Sequence, residues 1–404
     1  MTNCADILIT SINVLLLVIF TIWLFYLMVM IKNYVDVKGL EKTKRSNATP
    51  LVSVIIPTRN ESDRIEECIK SLKEQTYRNL EIIIVDDSSD DTVDVIKKLV
   101  GNDKRFKLVQ QGEVPRGWIG KSYALQKGSK LASGEWLLML DADVRLSSET
   151  IEKAVSYAEE KDIDLLSLVP NLLCKTFWEK VIQPIFGGLI LFVCPPFLVN
   201  NPKSKVAFAM GPFILIRRKV FEKVGGYEKI KDKITDDVEL ARLIKRSGYK
   251  INILNGQNAL DLRMYRNFKE IWSGWSKNVF LGFTYLYDIK SKPVFLLIAI
   301  GGTIGIFAFI SLPFIMLLTS GIGVMLGLGI FLSTLFLSFI TWLFSTITQI
   351  FLRIVYKGYP LYTFLSFLGG IMASAIFINS SLRVMLGKGV EWKGRIYYRR
   401  KQSR

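Results

Sequence analysis

The sequence predicts an α/β domain with a mostly parallel sheet, preceded by one transmembrane helix and followed by several more. Two observations support this fold class. Short apolar runs alternate with amphipathic helical stretches in the middle of the chain, an order typical of parallel sheets with right-handed crossovers. Uncharged stretches long enough to cross a bilayer precede and follow that part. The chain has 404 residues, so it has room for both.

The first apolar stretch, residues 7–31, has no charged residue and exceeds the roughly 20 residues that a bilayer core requires. A cleaved signal peptide is the alternative, but its apolar region is usually ~7–15 residues long and follows a basic segment. Here the charged residue before it is the acidic Asp6. We therefore predict a transmembrane helix within residues 1–34. About three more are predicted within 291–386, from the apolar stretches 294–318, 322–350 and 361–382.

Basic residues follow the first apolar stretch at Lys32, Lys38, Lys42, Lys44 and Arg45. By the positive-inside rule they place the middle domain, residues 35–290, in the cytoplasm of a multi-pass protein of the cell (plasma) membrane. The formal net charge of +17 fits a surface beside anionic lipids. Nucleic acid is the competing partner. It is not predicted, because the basic residues lie mostly beside the spans and in the basic tail, 387–404.

The absence of certain residue types limits the chemistry. The chain has no histidine, which excludes histidine-based triads, histidine general bases and the usual zinc sites. Its four cysteines have no paired, metal-like spacing and are interpreted as reduced thiols. Catalysis would therefore use carboxylates, lysines, hydroxyls or a metal held by oxygen.

Strand-like and helix-like segments alternate through the middle domain. Residues 51–56 are a β-branched apolar run typical of a strand buried on both faces. Residues 58–63 supply turn and N-cap residues for a helix, and Ile65, Cys68, Ile69 and Leu72 fall on one face of that helix. Later elements are predicted as strands at 80–85, 136–140 and 207–216 and as helices at 93–100 and 235–244.

Polar residues follow three of these strands, at 57–61, 86–87 and 141–143. Ligands of parallel sheets bind beyond the carboxyl ends of the strands, so these residues are the first candidates for a binding site. At such a position Asp86 and Asp87 could accept hydrogen bonds from a base or a ribose.

Asp141 and Asp143 form the second acidic pair. If the strand at 136–140 continues through them, the period of two places both carboxylates on one face. Two short carboxylates can share a hard divalent cation together with substrate phosphates. The alternative is that they cap a turn.

The segment 235–237 (TDD) opens a predicted helix. At least one of its residues is expected to act as an N-cap, which is a structural role. With histidine absent, Asp237 or Asp236 is also the candidate general base toward a hydroxyl.

The segment 181–199 is apolar but interrupted by prolines and glycines. It could contact the headgroup region, line an acceptor channel, or be an apolar insertion in the core of the domain.

Six motifs occur in a fixed order: VSVIIPTRNE (52–61), VDDSSDDT (85–92), GEWLLMLDAD (134–143), GPFILIR (211–217), VGGY (224–227) and TDD (235–237). This set, over about residues 50–280, resembles the family 2 glycosyltransferases of GT-A fold. The resemblance implies direct displacement with inversion at the anomeric carbon of a UDP- or GDP-sugar. It also implies a divalent cation, Mn²⁺ or Mg²⁺.

The resemblance implies a role for each matching position. Asp237, with Asp236 beside it, would be the catalytic base, and Asp143 and Asp141 would meet the metal and the diphosphate. The nucleotide-sugar would contact Pro57, Thr58, Arg59, Glu61, Asp86, Asp87, Lys121, Asp141 and Gly211.

The chain departs from the processive polysaccharide synthases of the family. Their Gln-x-x-Arg-Trp motif is replaced here by RMYR (263–266) and then WSGWSK (272–277), which argues against processive synthesis. These elements, with PRGWIG (115–120), resemble the membrane-bound branch that includes the carotenoid and hydroxychlorobactene glycosyltransferases. Candidate residues for an acceptor site at the membrane surface are Trp118, Arg263, Trp272, Trp275 and Lys277. A helix that packs through its aromatic face is the alternative.

The leading hypothesis is therefore the transfer of one sugar to a hydroxyl or carboxylate of a lipid-like acceptor, such as a carotenoid, isoprenoid or glycerolipid. A polyprenyl-phosphate sugar synthase is the second hypothesis, with a phosphate acceptor that needs no general base. A nucleotide-sugar-binding export scaffold is the third. The near absence of charged residues in the apolar stretches counts against transport.

Overall fold

The computed structural model describes residues 4–44, 49–286, 291–386, 390–392 and 395–397, so Arg45 and most of the predicted basic tail lie outside the described residues. The helices are α1 (Cys4–Asp36), α2 (Ile65–Lys73), α3 (Thr92–Val100), α4 (Gly120–Leu131), α5 (Thr150–Glu160), α6 (Phe177–Val193), α7 (Pro196–Val199), α8 (Arg218–Val224), α9 (Asp236–Arg246), α10 (Phe268–Leu286), α11 (Lys292–Ile310), α12 (Leu312–Met325), α13 (Leu332–Val355) and α14 (Ser366–Met385). The strands are β1 (Val52–Thr58), β2 (Leu80–Asp86), β3 (Phe106–Gln110), β4 (Trp136–Leu140), β5 (Val144–Leu146), β6 (Leu165–Val169), β7 (Asn171–Leu172), β8 (Phe213–Arg217), β9 (Ile251–Asn255), β10 (Leu260–Leu262), β11 (Val390–Trp392) and β12 (Arg395–Tyr397).

The chain divides into two compact units. The sheet unit contains Tyr34–Leu173, Cys194–Met264 and Gly389–Arg404, and the helical unit contains Met1–Asn33, Cys174–Val193 and Tyr265–Lys388. Residues 265–286, which we expected in the middle domain, lie in the helical unit in this division. The reason lies in α10, where Phe280 packs edge-on against Phe295 and Phe377 of other apolar helices.

A mostly parallel sheet forms the centre of the sheet unit, as the sequence predicts. Within the described residues its strand order is β3-β2-β1-β4-β8-β6-β9. Neighbouring strands are parallel except at β8, which runs antiparallel to both β4 and β6. A smaller sheet of order β5-β10-β7 lies beside it. The carboxyl ends of β1, β2 and β4 therefore meet at one edge of the large sheet.

The apolar pattern explains the core. Val52, Val54 and Ile56 of β1 are fully buried and lie in one hydrophobic cluster with the predicted inner face of α2. That face consists of Ile65, Cys68, Ile69 and Leu72, each 0% exposed, so the predicted amphipathic helix is confirmed.

Two local predictions were wrong. Residues 58–63 supply no side-chain cap for α2, whose N-cap position is Arg64. The backbone carbonyl of Glu61 accepts the N–H groups of Arg64 and Ile65 instead. The predicted strand 207–216 begins only at Phe213, because a turn closes from the Phe213 N–H to the Met210 carbonyl at 3.2 Å.

Among the described residues, five helical stretches are long and apolar enough to cross a membrane: Cys4–Asp36, Phe177–Val199, Pro293–Ile310, Gly329–Val355 and Pro360–Met385. The predicted span at 294–318 instead divides at Ser311 into α11 and α12, and α12 is shorter than a full span. Pro313 lies in the first turn of α12, where the missing N–H costs no helical hydrogen bond.

The stretch Phe177–Val199 is long enough to span a membrane, but the chain on each side of it belongs to the same sheet. Strand β6 precedes it, β8 follows it, and the two strands pair directly, with Ser167 opposite Ile214. Both flanking segments therefore lie on the same side of any membrane, so this stretch does not cross it. Its helix α6 belongs to the helical unit, and not to the core of the sheet unit.

Candidate active site

The nucleoside end of the candidate site lies where β1 and β2 finish. Asp86 is completely buried, and its carboxylate accepts hydrogen bonds from Thr58 Oγ1 (2.7 Å), Ser88 N (3.0 Å) and Ser88 Oγ (2.6 Å). These bonds join the ends of the two strands. The structure thus gives Asp86 and Thr58 a structural role, and their contact with a nucleotide stays a prediction.

Asp87 is the more accessible of the two carboxylates. It forms an ion pair with Arg59 at 2.5 Å, and the same guanidinium donates to the Asp87 carbonyl at 3.2 Å. The Glu61 N–H donates to Thr92 Oγ1 at 2.9 Å, and Pro57 lies opposite Val85 in the β1–β2 pair. Two adjacent strand ends and their loops therefore hold this group of predicted residues together.

The second acidic pair lies at the end of β4, but not in the predicted geometry. The strand ends at Leu140, and a turn closed from Val144 N to the Asp141 carbonyl (3.3 Å) contains both aspartates. Strand β5 then joins the smaller sheet beside β10. The condition of one continuous strand is therefore not met and the turn alternative applies, although the two side chains are close enough for the charge of Asp141 to act on Asp143.

Asp143 is held in an unfavourable environment for a charge. Burial, followed by the negative charges of Asp141 and Glu61, raises its pKa to about 7. Arg64 and Lys121 oppose this rise only in part. The protein's own cations compensate the charge of this carboxylate only in part. A cation that binds with the substrate would therefore stabilise its ionised form.

Lys121 lies in the first turn of α4 and connects the two acidic groups electrostatically. Its ammonium contacts Asp141 Oδ1 at 2.6 Å. Burial alone would lower the pKa of Lys121, but the charges of Asp141, Asp236 and Asp237 raise it above its usual value. Lys121 is therefore a permanent cation among three carboxylates.

Asp237 lies in the first turn of α9. Its Oδ2 accepts the Gly211 N–H at 3.2 Å, and its Oδ1 accepts the Val238 N–H at 2.8 Å. Burial, and then the charge of Asp236, raises its pKa to about 6. An acid with this pKa is mostly ionised at neutral pH and remains basic enough to accept a proton.

One residue of this segment takes the N-cap position, as predicted, although it forms no side-chain cap. Thr235 occupies the N-cap position without a side-chain bond to the helix, and its buried Oγ1 has no hydrogen-bond partner among the described residues. Asp236 and Asp237 both lie inside the helix. Neither aspartate is therefore needed at the N-cap position.

Two further residues belong to this site. Tyr227 is buried, and burial followed by the charges of Asp236, Asp237 and Asp141 raises the pKa of its phenol. The VGGY motif was the available signal for it. The Gly211 N–H donates to Asp237, and the contact of Gly211 with a nucleotide-sugar stays a prediction. A Cβ at that position would lie 3.0 Å from Asp237 Oδ2.

Asp141 and Asp143 could supply only some of the ligands that a metal ion needs. Among the described residues no group of three or more acidic, histidine or cysteine side chains is placed to hold an ion. Asp143 and Asp141 supply oxygen donors only, which suits Mg²⁺ or Mn²⁺, and Mg²⁺ usually takes its other ligands from water and substrate phosphates. A cation shared with a diphosphate therefore fits this pair.

The predicted acceptor residues lie in both units. Trp118, half-buried, packs edge-on against Tyr123 at 5.5 Å in the sheet unit, where partly buried Arg263 follows β10. Trp272, Trp275 and Lys277 lie on α10 of the helical unit.

Trp275 shows how one of these indoles is used. It is buried, stacks on Phe186 at 4.4 Å and donates to Gln183 Oε1 at 2.7 Å. Packing accounts for the position of Trp275, and the acceptor contacts of all five residues stay predictions.

Comparison with known proteins agrees with this geometry. The model of the family described as "Glycosyl transferase family 2" matches residues 53–225. A 4,4'-diaponeurosporenoate glycosyltransferase of Staphylococcus haemolyticus (strain JCSC1435) is 27% identical over 247 residues, which are 60% of this chain and 65% of the relative. The enzyme of the same name from Staphylococcus aureus (strain MRSA252) is 25% identical over 235 residues, with 57% and 61% covered. The chain thus matches slightly less than two thirds of the length of these relatives.

A solved structure supports the fold independently. The mannosyltransferase PcManGT from Pyrobaculum calidifontis, in complex with GDP-Man and Mn²⁺, superposes with a TM-score of 0.53 over 92% of this chain and 98% of that one, at 17% identity. Sequence motifs, strand order and both comparisons agree: residues 53–225 match the glycosyl transferase family 2 model, within a domain of GT-A fold.

Proposed function

We propose that the protein is an inverting, metal-dependent membrane glycosyltransferase that moves a single sugar from a nucleotide-sugar to a lipid-like acceptor. One observation carries the proposal. The edge of the sheet gathers Asp141, Asp143, Lys121 and Asp237, and both Asp143 and Asp237 have raised pKa values. Such environments are costly for folding and are typical of sites that bind or react with a ligand.

The donor would occupy the strand ends. Its nucleoside would lie beside Arg59 and Asp87, and its diphosphate beside Lys121, Asp141 and Asp143. A Mn²⁺ or Mg²⁺ ion held by the two aspartates would neutralise charge on the departing diphosphate. The GDP-Man and Mn²⁺ in the structure of the mannosyltransferase support a nucleotide-sugar and a divalent cation.

The acceptor reaction would need one base. Asp237 would take the proton of the acceptor O–H group while that oxygen bonds to the anomeric carbon of the sugar. The bond from the anomeric carbon to the diphosphate breaks in the same displacement, the nucleoside diphosphate leaves, and the configuration inverts. With a pKa of about 6, Asp237 is ionised and ready to accept the proton above that pH.

The apolar helices and the relatives support a lipid acceptor. Five helical stretches long enough for a bilayer fit membrane association, and the relatives are named 4,4'-diaponeurosporenoate glycosyltransferases, after a carboxylate. A carboxylic acid in an apolar environment keeps its proton more tightly, so Asp237 would serve both a hydroxyl and a carboxyl acceptor. The cell membrane, with the sheet unit in the cytoplasm, is the proposed location.

Lipid analysis tests the proposal. Cells that express the protein, Asp237→Asn, or no protein would be extracted and their lipids compared by mass spectrometry. We expect one glycolipid that requires the protein and is lost with Asp237→Asn. A product that persists with Asp237→Asn would favour a phosphate acceptor, which needs no base. An unchanged lipid profile, with no turnover of any labelled nucleotide-sugar in the presence of Mn²⁺ or Mg²⁺, would favour a binding scaffold.

A further inference from the structure

Ser167 is a buried hydroxyl that the reaction described above does not use. It lies on β6 between two neighbouring strands and is 0% exposed. Its Oγ accepts the Met210 N–H at 2.8 Å and lies 3.0 Å from the Phe213 carbonyl and 3.2 Å from the Met210 carbonyl, to which it donates. One side chain therefore holds both ends of the turn Met210–Phe213.

That turn is bonded to both halves of the candidate site. The Pro212 carbonyl accepts the Asp141 N–H at 3.3 Å, which extends the pairing of β4 with β8 by one bond. The next residue toward the N-terminus, Gly211, donates its N–H to Asp237 Oδ2 at 3.2 Å. Two successive residues of one turn thus contact the backbone of the diphosphate end and the side chain of the base.

We propose that Ser167 is a positioning residue, which acts through the Met210–Phe213 turn to hold Asp237 at its working distance from Asp141 and Asp143. The inference rests on the proposed function, since it assigns a role within that same site. Ser167 contacts neither donor nor acceptor in this account.

The geometry explains why a small change in the turn would matter. The hydrogen bond from Gly211 is already long at 3.2 Å, and there is little space between Gly211 and the carboxylate, as a Cβ would meet Oδ2 at 3.0 Å. A shift of the turn toward α9 displaces the carboxylate, and a shift away removes its N–H donor. Without that donor the ionised form of Asp237 loses stabilisation, so the pKa of Asp237 rises further.

The same sheet offers a matched control. Ser53 on β1 is also 0% exposed, accepts a backbone N–H (Gly134, 2.8 Å) and donates to an oxygen (Glu81 Oε1, 2.5 Å). It lies near the start of its strand, at the edge opposite the candidate site. Ser53→Ala removes the same kind of bonds from the same sheet without touching the turn.

The test compares the full-length wild type, Ser167→Ala and Ser53→Ala in lipid vesicles, with kcat, KM for the nucleotide-sugar and the pH profile of transfer. For Ser167→Ala we expect kcat to fall by about tenfold, the size of one lost hydrogen bond. KM should stay within about twofold, and the acidic limb of the pH profile should move upward. Ser53→Ala should lower the unfolding temperature but leave kcat and the acidic limb unchanged.

Ser167→Cys provides a second variant if the alanine variant does not fold. It keeps a weak donor on a somewhat larger side chain and should lie between the wild type and Ser167→Ala. Wild-type kcat and an unmoved acidic limb in both Ser167 variants would overturn the positioning role, while leaving the proposed function intact. A wild type that transfers no sugar from any donor would overturn the proposed function, and with it the positioning role.

Discussion

Carboxylates at the two opposite edges of the central sheet lie in opposite electrostatic environments. At the edge where β2 begins, Glu81 accepts hydrogen bonds from Ser53 Oγ (2.5 Å), Ser133 N (2.6 Å) and Ser133 Oγ (2.7 Å), and Lys107 Nζ lies at 3.0 Å. Burial alone would raise the pKa of Glu81, but these bonds lower it to about 2. At the edge where β4 ends, the pKa of Asp143 is raised to about 7.

This difference in pKa distinguishes a structural carboxylate from carboxylates whose charge a bound ligand would compensate. Glu81 has its charge compensated by the protein, so its ionisation stabilises the fold. Asp143 and Asp237 are half-buried among other carboxylates with few donors, so their ionisation costs folding free energy. A cation and a substrate proton would offset that cost in the reaction proposed here.

Neutralising Asp143 should have the largest effect. In Asp143→Asn we expect sugar transfer to fall by at least about 100-fold, because the cation that neutralises the diphosphate would lose one of its two carboxylate ligands. The metal-free variant should be more stable than the wild type by about 1–3 kcal/mol at pH 8. The sign follows from a folded-state pKa of about 7, above the usual 3.8: the stability linked to this group is present below pH 4 and is lost as the pH rises through 7.

Chemical denaturation at pH 8 and pH 4, with a chelator present, measures this change. The variant and the wild type should differ at pH 8 and converge at pH 4. A variant that is less stable than the wild type at pH 8 would contradict the comparison between the two edges.

Neutralising Glu81 should produce the opposite pattern. In Glu81→Gln we expect a loss of about 2–3 kcal/mol of unfolding free energy at pH 7, with activity per folded molecule unchanged. The folded-state pKa is lowered, so this stability is present above the unfolded value of 4.5 and is lost as the pH falls toward 2. The difference from the wild type should therefore disappear over that range.

Glu66→Gln is the matched control. Glu66 forms an ion pair with Lys70 on the surface of α2 at 2.6 Å, and both side chains are more than half exposed. Exposed ion pairs of this kind contribute little to the free energy of unfolding. Its unfolding midpoint should stay at the wild-type value. Equal losses in Glu66→Gln and Glu81→Gln would argue against a special role for the buried network.

A smaller effect is expected at Lys121. Lys121→Gln removes the cation beside Asp141, so KM for the nucleotide-sugar should rise by about tenfold with a smaller change in kcat. Lys130→Gln, an exposed position on the same helix, should change neither. Steady-state kinetics at varied nucleotide-sugar concentration measures kcat and KM for each variant. A fall in kcat at constant KM would indicate that Lys121 acts in the chemical step and not in donor binding.

Local patterns were sufficient for much of the fold. The apolar runs and the helical face of α2 predict strands and packing correctly, and parallel topology places Asp86, Asp141 and Asp143 at one edge. The apolar stretch 294–318 was less informative, because its composition does not show the break at Ser311.

Contacts between distant parts of the chain could not be predicted in this way. Glu81 depends on Ser133, 52 positions away, and Ser167 depends on the turn at Met210, 43 positions away. Nothing in either local sequence reports its partner. The hydrogen bond from Gly211 to Asp237 has the same origin, so the local sequence did not show that Gly211 also orients the candidate base.

Sugar transfer in vesicles prepared from the lipid extract of the producing cells tests the central claim most directly. Wild type, Asp237→Asn and Glu81→Gln would each receive labelled nucleotide-sugar and Mn²⁺ or Mg²⁺, and the labelled glycolipid would be measured. We predict equal product per folded molecule from the wild type and Glu81→Gln, and none from Asp237→Asn. Product from Asp237→Asn at the wild-type rate, or no product from the wild type with any donor, would contradict the account.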